Sequence, residues 1–213
     1  MINRLAWEKI ESIISGLGEG FFPFTSGNVS VKIDNLVYCT PSSIKKKDLN
    51  INLLSVIDLE NNLVWGPKQT SEANLHLEIY KNFPKVKVVV HTHPFFCTIF
   101  AITGKKILTN ILPEYYLKLR RIVYVKYVTP GTIQLAKEVV KKIKKELKNY
   151  SKGVVLLRNH GLVVFSENEK EAVELTLYAE EIAKINYFSL LIGKPNEIKK
   201  ELIYELVKNY GGK

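Results

Sequence analysis

The apolar residues of this chain fall into short runs that alternate or stay continuous, as the residues of strands do. Two of these runs are separated by Asp34-Asn35 and two others by Asn61-Asn62, which predicts a pair of hairpins with tight turns. The last run, Leu162–Phe165, lies close enough in the sequence to the preceding run, Val154–Leu157, to pair with it. The predicted strands are Val29–Ile33, Leu36–Cys39, Leu53–Leu59, Leu63–Trp65, Val86–Thr92, Ile122–Val125, Val154–Leu157 and Leu162–Phe165.

Other apolar positions recur every three or four residues, the spacing of a helix with one buried face. For the second of these helices, Thr70 or Ser71 is the expected N-cap and Pro84 the stop. The predicted helices are Met1–Ile14, Ser71–Phe83, one that opens near Pro94, Gly131–Asn149, Glu167–Ile192 and Glu197–Asn209. Hairpins mixed with helices predict a layered α/β domain with a central, largely antiparallel sheet. Residues 1–213 are expected to form a single domain whose helical tail covers about 195–213.

Composition narrows the class of protein. Apolar residues make up 46% of the chain and charged residues 24%, which is ordinary for a globular protein. We see neither a membrane-spanning stretch nor the pattern of a signal peptide. Cys39 and Cys97 fit neither a disulfide framework nor a metal motif. These features predict a cytoplasmic enzyme with no membrane partner.

The net charge of +10 raises the question of a nucleic-acid partner. Most of the lysines lie on predicted helix surfaces, where Glu138 and Glu146 interrupt them, and arginine is scarce. No platform of aromatic and arginine side chains accompanies them. We therefore predict a solvated surface with some attraction for anionic phosphorylated metabolites, and no nucleic-acid partner.

Three of the four histidines stand at the ends of predicted strands. His91 and His93 are two residues apart after a Val-rich run, so both side chains leave the same face. His160 follows another apolar run, in the turn Arg158–Gly161. Three neutral imidazoles leave one coordination position open, as in a catalytic zinc site. This pattern predicts a divalent-metal site, whereas a lone histidine there would more often be hydrogen-bonded in the core.

The fourth histidine, His76, lies four residues after Glu72 on a predicted helix. A metalloprotease-like pair would need a second histidine at that spacing, and the sequence has none. We therefore interpret His76 as a structural, hydrogen-bonded residue.

Small polar residues cluster at three predicted turns. Thr25–Asn28 precedes a strand, Thr40–Ser43 ends the next strand, and Thr70-Ser71 begins a helix. Hydroxyls, turn amides and a helix N-terminus suit a phosphate dianion, although such residues are usually only turn formers. Glu72 directly follows Thr70-Ser71, which puts a candidate base beside the candidate anion site.

In this order, these segments resemble the class II aldolase/adducin family, and most of all its members that cleave fuculose 1-phosphate. The matching stretches are Gly27–Val31, Thr40–Ser43, Thr70–Glu72, His91–His93 and Asn159–Gly161, with Pro130–Thr132 also in the expected place. The resemblance implies a three-layer fold with helices on both faces of the sheet. It also implies a homotetramer, a fourfold ring whose active sites lie between neighbouring subunits.

The resemblance further implies a Zn2+ ion, or Mn2+ or Co2+, held by His91, His93 and His160. Glu72 is similar in position to the family's catalytic base, which can also ligate the metal before substrate arrives. The residues that the resemblance assigns to the substrate phosphate are Gly27, Asn28, Ser42, Ser43, Thr70 and Ser71.

A group that protonates the aldehyde oxygen is needed as well, and here the sequence leaves several candidates. Tyr115 and Tyr116 stand near the position of a family tyrosine, with Glu114 as a rival. The segment Lys208–Gly211 is similar to a family tail that contributes a tyrosine to the neighbouring subunit, which makes Tyr210 a candidate. Core or interface packing, or a frayed terminus, is the alternative for each tyrosine.

The implied activity is retro-aldol cleavage of a ketose 1-phosphate into dihydroxyacetone phosphate and an aldehyde. A metal would stabilise the enediolate charge that this cleavage creates. A ribulose-phosphate 4-epimerase and a methylthioribulose-1-phosphate dehydratase are alternatives within the family. A non-catalytic adducin-like assembly module is a remote alternative, because all three histidines and Glu72 are present. The expected partner is a small phosphorylated sugar.

Overall fold

The structure is a computed structural model that describes residues 3–211 and has an eight-stranded sheet at its centre. The strands follow the spatial order β4-β3-β2-β1-β5-β8-β7-β6, and every neighbouring pair is antiparallel except β6 and β7. This confirms the predicted α/β fold with a largely antiparallel sheet. The strands are β1 (Asn28–Ile33), β2 (Leu36–Cys39), β3 (Ser55–Asp58), β4 (Leu63–Trp65), β5 (Val88–Thr92), β6 (Ile122–Val125), β7 (Gly153–Leu157) and β8 (Leu162–Ser166).

Helices cover both faces of the sheet and complete three layers. The α-helices are α1 (Arg4–Leu17), α2 (Ala73–Asn82), α3 (Phe95–Thr103), α4 (Pro113–Leu119), α5 (Ile133–Glu146), α6 (Glu169–Ile192) and α7 (Lys200–Tyr210). Apolar residues of α1, α3 and α6 form one core, and those of α2 and α5 form the other. Along β5, Val88 and Val90 face the first core and Val89 faces the second. This strand therefore reads as a continuous valine run, because both of its faces are buried.

The helix predicted to start at Ser71 begins instead at Ala73, with Glu72 in the N-cap position. The prediction that Thr70 or Ser71 caps it is therefore wrong. Thr70 Oγ1 accepts a hydrogen bond from the Glu72 amide at 3.3 Å, which stabilises a turn ahead of the helix. This turn places the Glu72 carboxylate next to the His91 ring.

Other boundaries differ by a few residues. The first helix runs to Leu17, beyond the predicted end, while Met1 and Ile2 of that prediction lie outside the described residues. The third strand begins at Ser55 because residues 51–53 form a single 3-10 turn. The helix α4, whose first turn carries Pro113, has no counterpart among the elements predicted from the sequence.

Both predicted hairpins are formed, β1 with β2 and β3 with β4. Asp34 and Asn61 adopt left-handed φ values of 52° and 70° in the two predicted hairpin turns.

Cys39 and Cys97 are buried free thiols in different cores. Across residues 3–211, no helix is both long and apolar enough to cross a membrane. The helix α7 contains no buried residue and packs against α4.

Candidate metal centre and phosphate cleft

Three imidazoles meet at one end of the sheet. His91 lies in β5 and His93 follows the end of that strand, while His160 lies in the turn between β7 and β8. In that turn, Asn159 adopts a left-handed φ of 54°. Because β8 pairs with β5, with Val163 opposite His91, the turn is brought next to the histidine pair. The ring centroids lie 4.6–5.2 Å apart, and one ring nitrogen of each residue lies within 4.8 Å of the others.

The glycine after His160 is required by this arrangement. A Cβ atom on Gly161 would lie 2.6 Å from His93 Cδ2 and 2.6 Å from the Thr92 carbonyl oxygen. Contacts that short would displace the ring or the backbone. The Gly-containing turn recognised in the sequence therefore permits the close approach of the imidazoles.

Glu72 brings a carboxylate to the cluster. Its side chain is buried, with the residue 5% exposed, and Oε2 lies 2.9 Å from His91 Nε2. Oε1 lies 3.5 Å from His160 Nε2 and has no hydrogen-bond partner among residues 3–211. Burial by itself raises the pKa of the Glu72 carboxyl, but the imidazoles of His91, His160 and His76 together hold that pKa well below its usual range. The carboxylate is therefore ionised at neutral pH.

The donor set fits a divalent cation. His91 Nδ1 donates to the Leu162 carbonyl at 3.0 Å, which directs the Nε2 lone pair into the cluster. Burial lowers the pKa of His93 to about 3 and that of His160 to about 4, so both rings are neutral at pH 7. His91 Nε2 and His93 Nε2 face each other at 2.9 Å, beside the unpartnered Glu72 Oε1. Imidazole and carboxylate donors in this number suit Zn2+ and similar ions.

The predicted phosphate residues line a cleft that opens over this cluster. The cleft has a volume of about 320 Å3. Its walls are Thr25, Ser26, Gly27, Asn28, Pro41, Ser42, Ser43, Thr70, Ser71, Glu72, His91, His93, Pro130, Gly131 and His160. The structure thus brings together all six residues predicted to bind phosphate, the three histidines and Glu72.

Three of the six residues use their side chains within the protein, and one of them is Thr70, whose hydroxyl accepts from the Glu72 amide. Ser42 Oγ donates to the Gln69 carbonyl at 3.1 Å. The Asn28 side chain contacts His76 through Oδ1 at 2.6 Å and Glu72 Oε2 through Nδ2 at 3.5 Å. The hydrogen-bonded role predicted for His76 is therefore visible in the structure, together with an unexpected link from His76 to the metal centre.

The three candidate tyrosines lie elsewhere. Tyr115 packs edge-on against Tyr178, with ring centroids 5.3 Å apart, and Arg120 stacks over Tyr116. Tyr210 is 56% exposed and, like Glu114, lines a separate cavity of about 810 Å3. None of these residues lines the cleft.

One lysine beside the cleft was missed by the sequence analysis, which assigned the lysines to solvated surfaces. Lys46 is only 7% exposed, and its Nζ donates to the Thr25 carbonyl at 3.3 Å. Burial lowers its pKa to about 8, and no carboxylate among residues 3–211 forms an ion pair with it. Nothing in the run Lys45–Lys47 distinguishes the buried lysine from its exposed neighbours.

The sequence model of the class II aldolase and adducin N-terminal domain matches residues 16–187. This chain belongs to that family. The L-fuculose phosphate aldolase of Methanococcus vannielii is 40% identical over 170 residues, which cover 80% of this chain and 88% of that protein. The 3-oxo-tetronate 4-phosphate decarboxylase of Haemophilus influenzae is 32% identical over 170 residues and 78% of each chain.

The fold agrees with this membership. Among solved structures, the YgbL protein of Escherichia coli superposes with a TM-score of 0.81 at 24% identity, covering 93% of this chain and 95% of its own. The family resemblance predicted from the sequence is confirmed. Class II aldolases depend on a divalent metal, in keeping with the cluster of His91, His93 and His160.

Proposed function

We propose that this protein is a metal-dependent aldolase that cleaves a ketose 1-phosphate, of the fuculose 1-phosphate type, into dihydroxyacetone phosphate and an aldehyde. The observation that carries the proposal is the buried carboxylate of Glu72 against three converging imidazoles, in a cleft lined with hydroxyls. The name of the relative from Methanococcus vannielii supports this substrate class.

His91, His93 and His160 would hold the cation, with Zn2+ as the expected ion and Mn2+ or Co2+ as substitutes. Glu72 would be a fourth ligand before substrate binds. When bound, the cation supplies a positive centre for the negative charge that develops on the substrate oxygens. Mutual packing of the rings and the Leu162 carbonyl fix the orientation of this donor set before substrate arrives.

The cleft residues would orient the substrate through its phosphate. Gly27, Asn28, Ser42, Ser43, Thr70 and Ser71 surround the position of the dianion, and the N-terminus of α2 points toward the same cleft. A phosphate held there places the adjoining carbons over Glu72. Retro-aldol cleavage leaves the electron pair of the broken C3–C4 bond on C3, as an enediolate. The C4 hydroxyl loses its proton as it becomes the aldehyde oxygen, and Glu72 would deliver to C3 a proton that it takes up from solvent.

A second group must accept the proton of the C4 hydroxyl as it becomes the aldehyde oxygen, and return it in the reverse condensation; we assign this role to a tyrosine of a neighbouring subunit. The candidates remain Tyr115, Tyr116 and Tyr210, because no tyrosine among residues 3–211 lines the cleft of its own subunit. This proposal requires a homotetramer with active sites between subunits. We expect the assembly to act in the cytoplasm on small phosphorylated sugars, without a nucleic-acid or membrane partner.

Decarboxylation is a second candidate reaction, favoured by the name of the Haemophilus influenzae relative. Epimerisation of a ribulose phosphate and dehydration of methylthioribulose 1-phosphate use the same kind of site. All of these reactions pass through an electron-rich carbon beside a carbonyl, so the arrangement of Glu72 and the histidines does not separate them.

A product assay separates these reactions. The metal-loaded protein is incubated with fuculose 1-phosphate, ribulose phosphates, methylthioribulose 1-phosphate and 3-oxo-tetronate 4-phosphate, and the released dihydroxyacetone phosphate and carbon dioxide are measured. We expect dihydroxyacetone phosphate from a ketose 1-phosphate. Release of none from any ketose 1-phosphate would refute the aldolase proposal, and carbon dioxide release would favour the decarboxylase.

A further inference from the structure

A series of buried, hydrogen-bonded polar side chains runs from the middle of the sheet to the candidate metal centre. The Tyr80 hydroxyl lies 2.7 Å from Ser30 Oγ, which lies 2.6 Å from His76 Nδ1. His76 Nε2 lies 2.6 Å from Asn28 Oδ1, and Asn28 Nδ2 lies 3.5 Å from Glu72 Oε2. All five side chains are buried, so water does not compete for these contacts.

The hydrogen bonds of this series all run in one direction, from Tyr80 toward Glu72. The Asn28 amide nitrogen can only donate, so it donates to Glu72 Oε2, and Asn28 Oδ1 can only accept, so it accepts from His76 Nε2–H. Burial lowers the pKa of His76 to about 3, so its ring is neutral and carries a single N–H. His76 Nδ1 therefore accepts from the Ser30 hydroxyl. Because that uses the Ser30 proton, the Tyr80 hydroxyl is the donor of the next pair, with Ser30 Oγ at 2.7 Å and the Ser30 carbonyl at 2.9 Å as its acceptors.

This direction makes the two oxygens of Glu72 different. Oε2 accepts from the Asn28 amide and lies 2.9 Å from His91 Nε2, whereas Oε1 is buried with no hydrogen-bond donor among residues 3–211. We propose that His76, Ser30 and Tyr80 are positioning residues that act through Asn28 to hold Oε2 of Glu72, leaving Oε1 as the atom that exchanges a proton with the substrate carbon. This inference rests on the proposed function, in which Glu72 is the base.

Two substitutions of His76 separate positioning from simple core packing. In His76→Gln, the side-chain amide nitrogen reaches the position of Nε2 and can still donate to Asn28. In His76→Asn, the shorter side chain reaches only the position of Nδ1, so it can contact Ser30 but leaves Asn28 Oδ1 without its donor. Both substitutions place a neutral amide in the same core, so they form a matched pair for stability.

The kinetic test is the exchange of carbon-bound hydrogen of dihydroxyacetone phosphate with D2O, measured by proton NMR on the metal-loaded protein. This half-reaction moves a proton from the substrate carbon to Glu72 and returns a deuteron, so it needs no aldehyde. We expect His76→Asn to lower the maximal exchange rate at least ~10-fold, the effect of losing a hydrogen bond to a charged group, with KM changed by less than about twofold. His76→Gln should stay within about threefold of the unsubstituted protein.

The inference is overturned if His76→Asn exchanges as fast as the unsubstituted protein, or if both variants slow equally at equal metal content. Nitrogen-15 NMR of His76 gives a readout independent of turnover, because it reports which ring nitrogen carries the proton. We expect the Nε2–H tautomer, and the Nδ1–H tautomer would overturn the inference by itself. Absence of exchange in the unsubstituted protein would refute the proposed function, while the tautomer still decides the direction of the hydrogen bonds.

Discussion

The residues of the proposed site fall into a metal side, formed by the three histidines and Glu72, and a tyrosine side, formed by the three candidate tyrosines. The two sides differ in how much of the proposed site one chain contains. The three histidines and Glu72 come from β5, the β7–β8 turn and the start of α2, and they meet in a buried cluster. The candidate tyrosines lie on α4 and α7, outside the cleft. The proposed electrostatic part of the site is thus built within one chain, where burial strengthens it, whereas under our proposal a neighbouring subunit supplies the group that meets the aldehyde.

The largest expected effect comes from removing the base on the metal side. Glu72→Gln should retain the fold and metal but lower both cleavage and D2O exchange by about 10²- to 10⁴-fold, because an amide cannot accept the proton. Thermal unfolding and metal analysis supply the controls. Activity equal to that of the unsubstituted protein would remove Glu72 from the mechanism.

Removing a predicted ligand tests the same side of the comparison. His93→Ala should lower metal affinity by about 10- to 100-fold or more, because two imidazoles and a carboxylate then remain. Metal content after dialysis against a fixed free-zinc buffer measures this directly, and cleavage should fall with occupancy. Full occupancy in the variant would refute the assignment of His93 as a ligand.

Disturbing the packing of the rings should have a smaller effect than removing one. Gly161→Ala places a Cβ atom 2.6 Å from His93 Cδ2, so the ring must move, and we expect metal affinity to fall by about tenfold. Gly193→Ala is a matched control, because no heavy atom lies within 4 Å of its added Cβ. Equal metal affinity in the two variants would show that Gly161 is not needed for ring placement.

These residues also show what the sequence could and could not reveal. His91 and His93 were recognisable because two side chains at alternate strand positions share a face whatever surrounds them. The contact between His76 and Asn28 was not, because it depends on how α2 packs against β1. Lys46 was not recognisable either, since burial of one lysine in a run is decided by tertiary structure.

The tyrosine side can be tested with the same two assays. We expect Tyr210→Phe to lower kcat for cleavage about tenfold or more and to leave D2O exchange unchanged, because exchange involves no aldehyde. Tyr204→Phe is the control, because this exposed tyrosine lies on the same helix and is not a candidate for the aldehyde-side group. A Tyr210→Phe variant with normal cleavage, or with equally reduced exchange, would exclude Tyr210 as the aldehyde-side group.

The smallest expected effect concerns Lys46, which lies beside the cleft on the metal side. Its buried ammonium group contacts the Thr25 carbonyl behind the turn that lines the phosphate cleft, and Nζ lies 5.8 Å from the centroid of the Phe22 ring. A positive charge there, without a carboxylate partner among residues 3–211, should favour a dianion in the cleft.

We therefore expect Lys46→Met to raise KM for a ketose 1-phosphate roughly fivefold, with kcat nearly unchanged, since a charge at this range acts on binding through a partly screened field. The exposed Lys45→Met variant removes one charge from the same segment and should change KM less than twofold. Inhibition by inorganic phosphate should weaken in parallel with KM for Lys46→Met alone. Equal effects of the two substitutions would mean that Lys46 contributes only to the general positive field of the surface, so its burial would have no part in substrate binding.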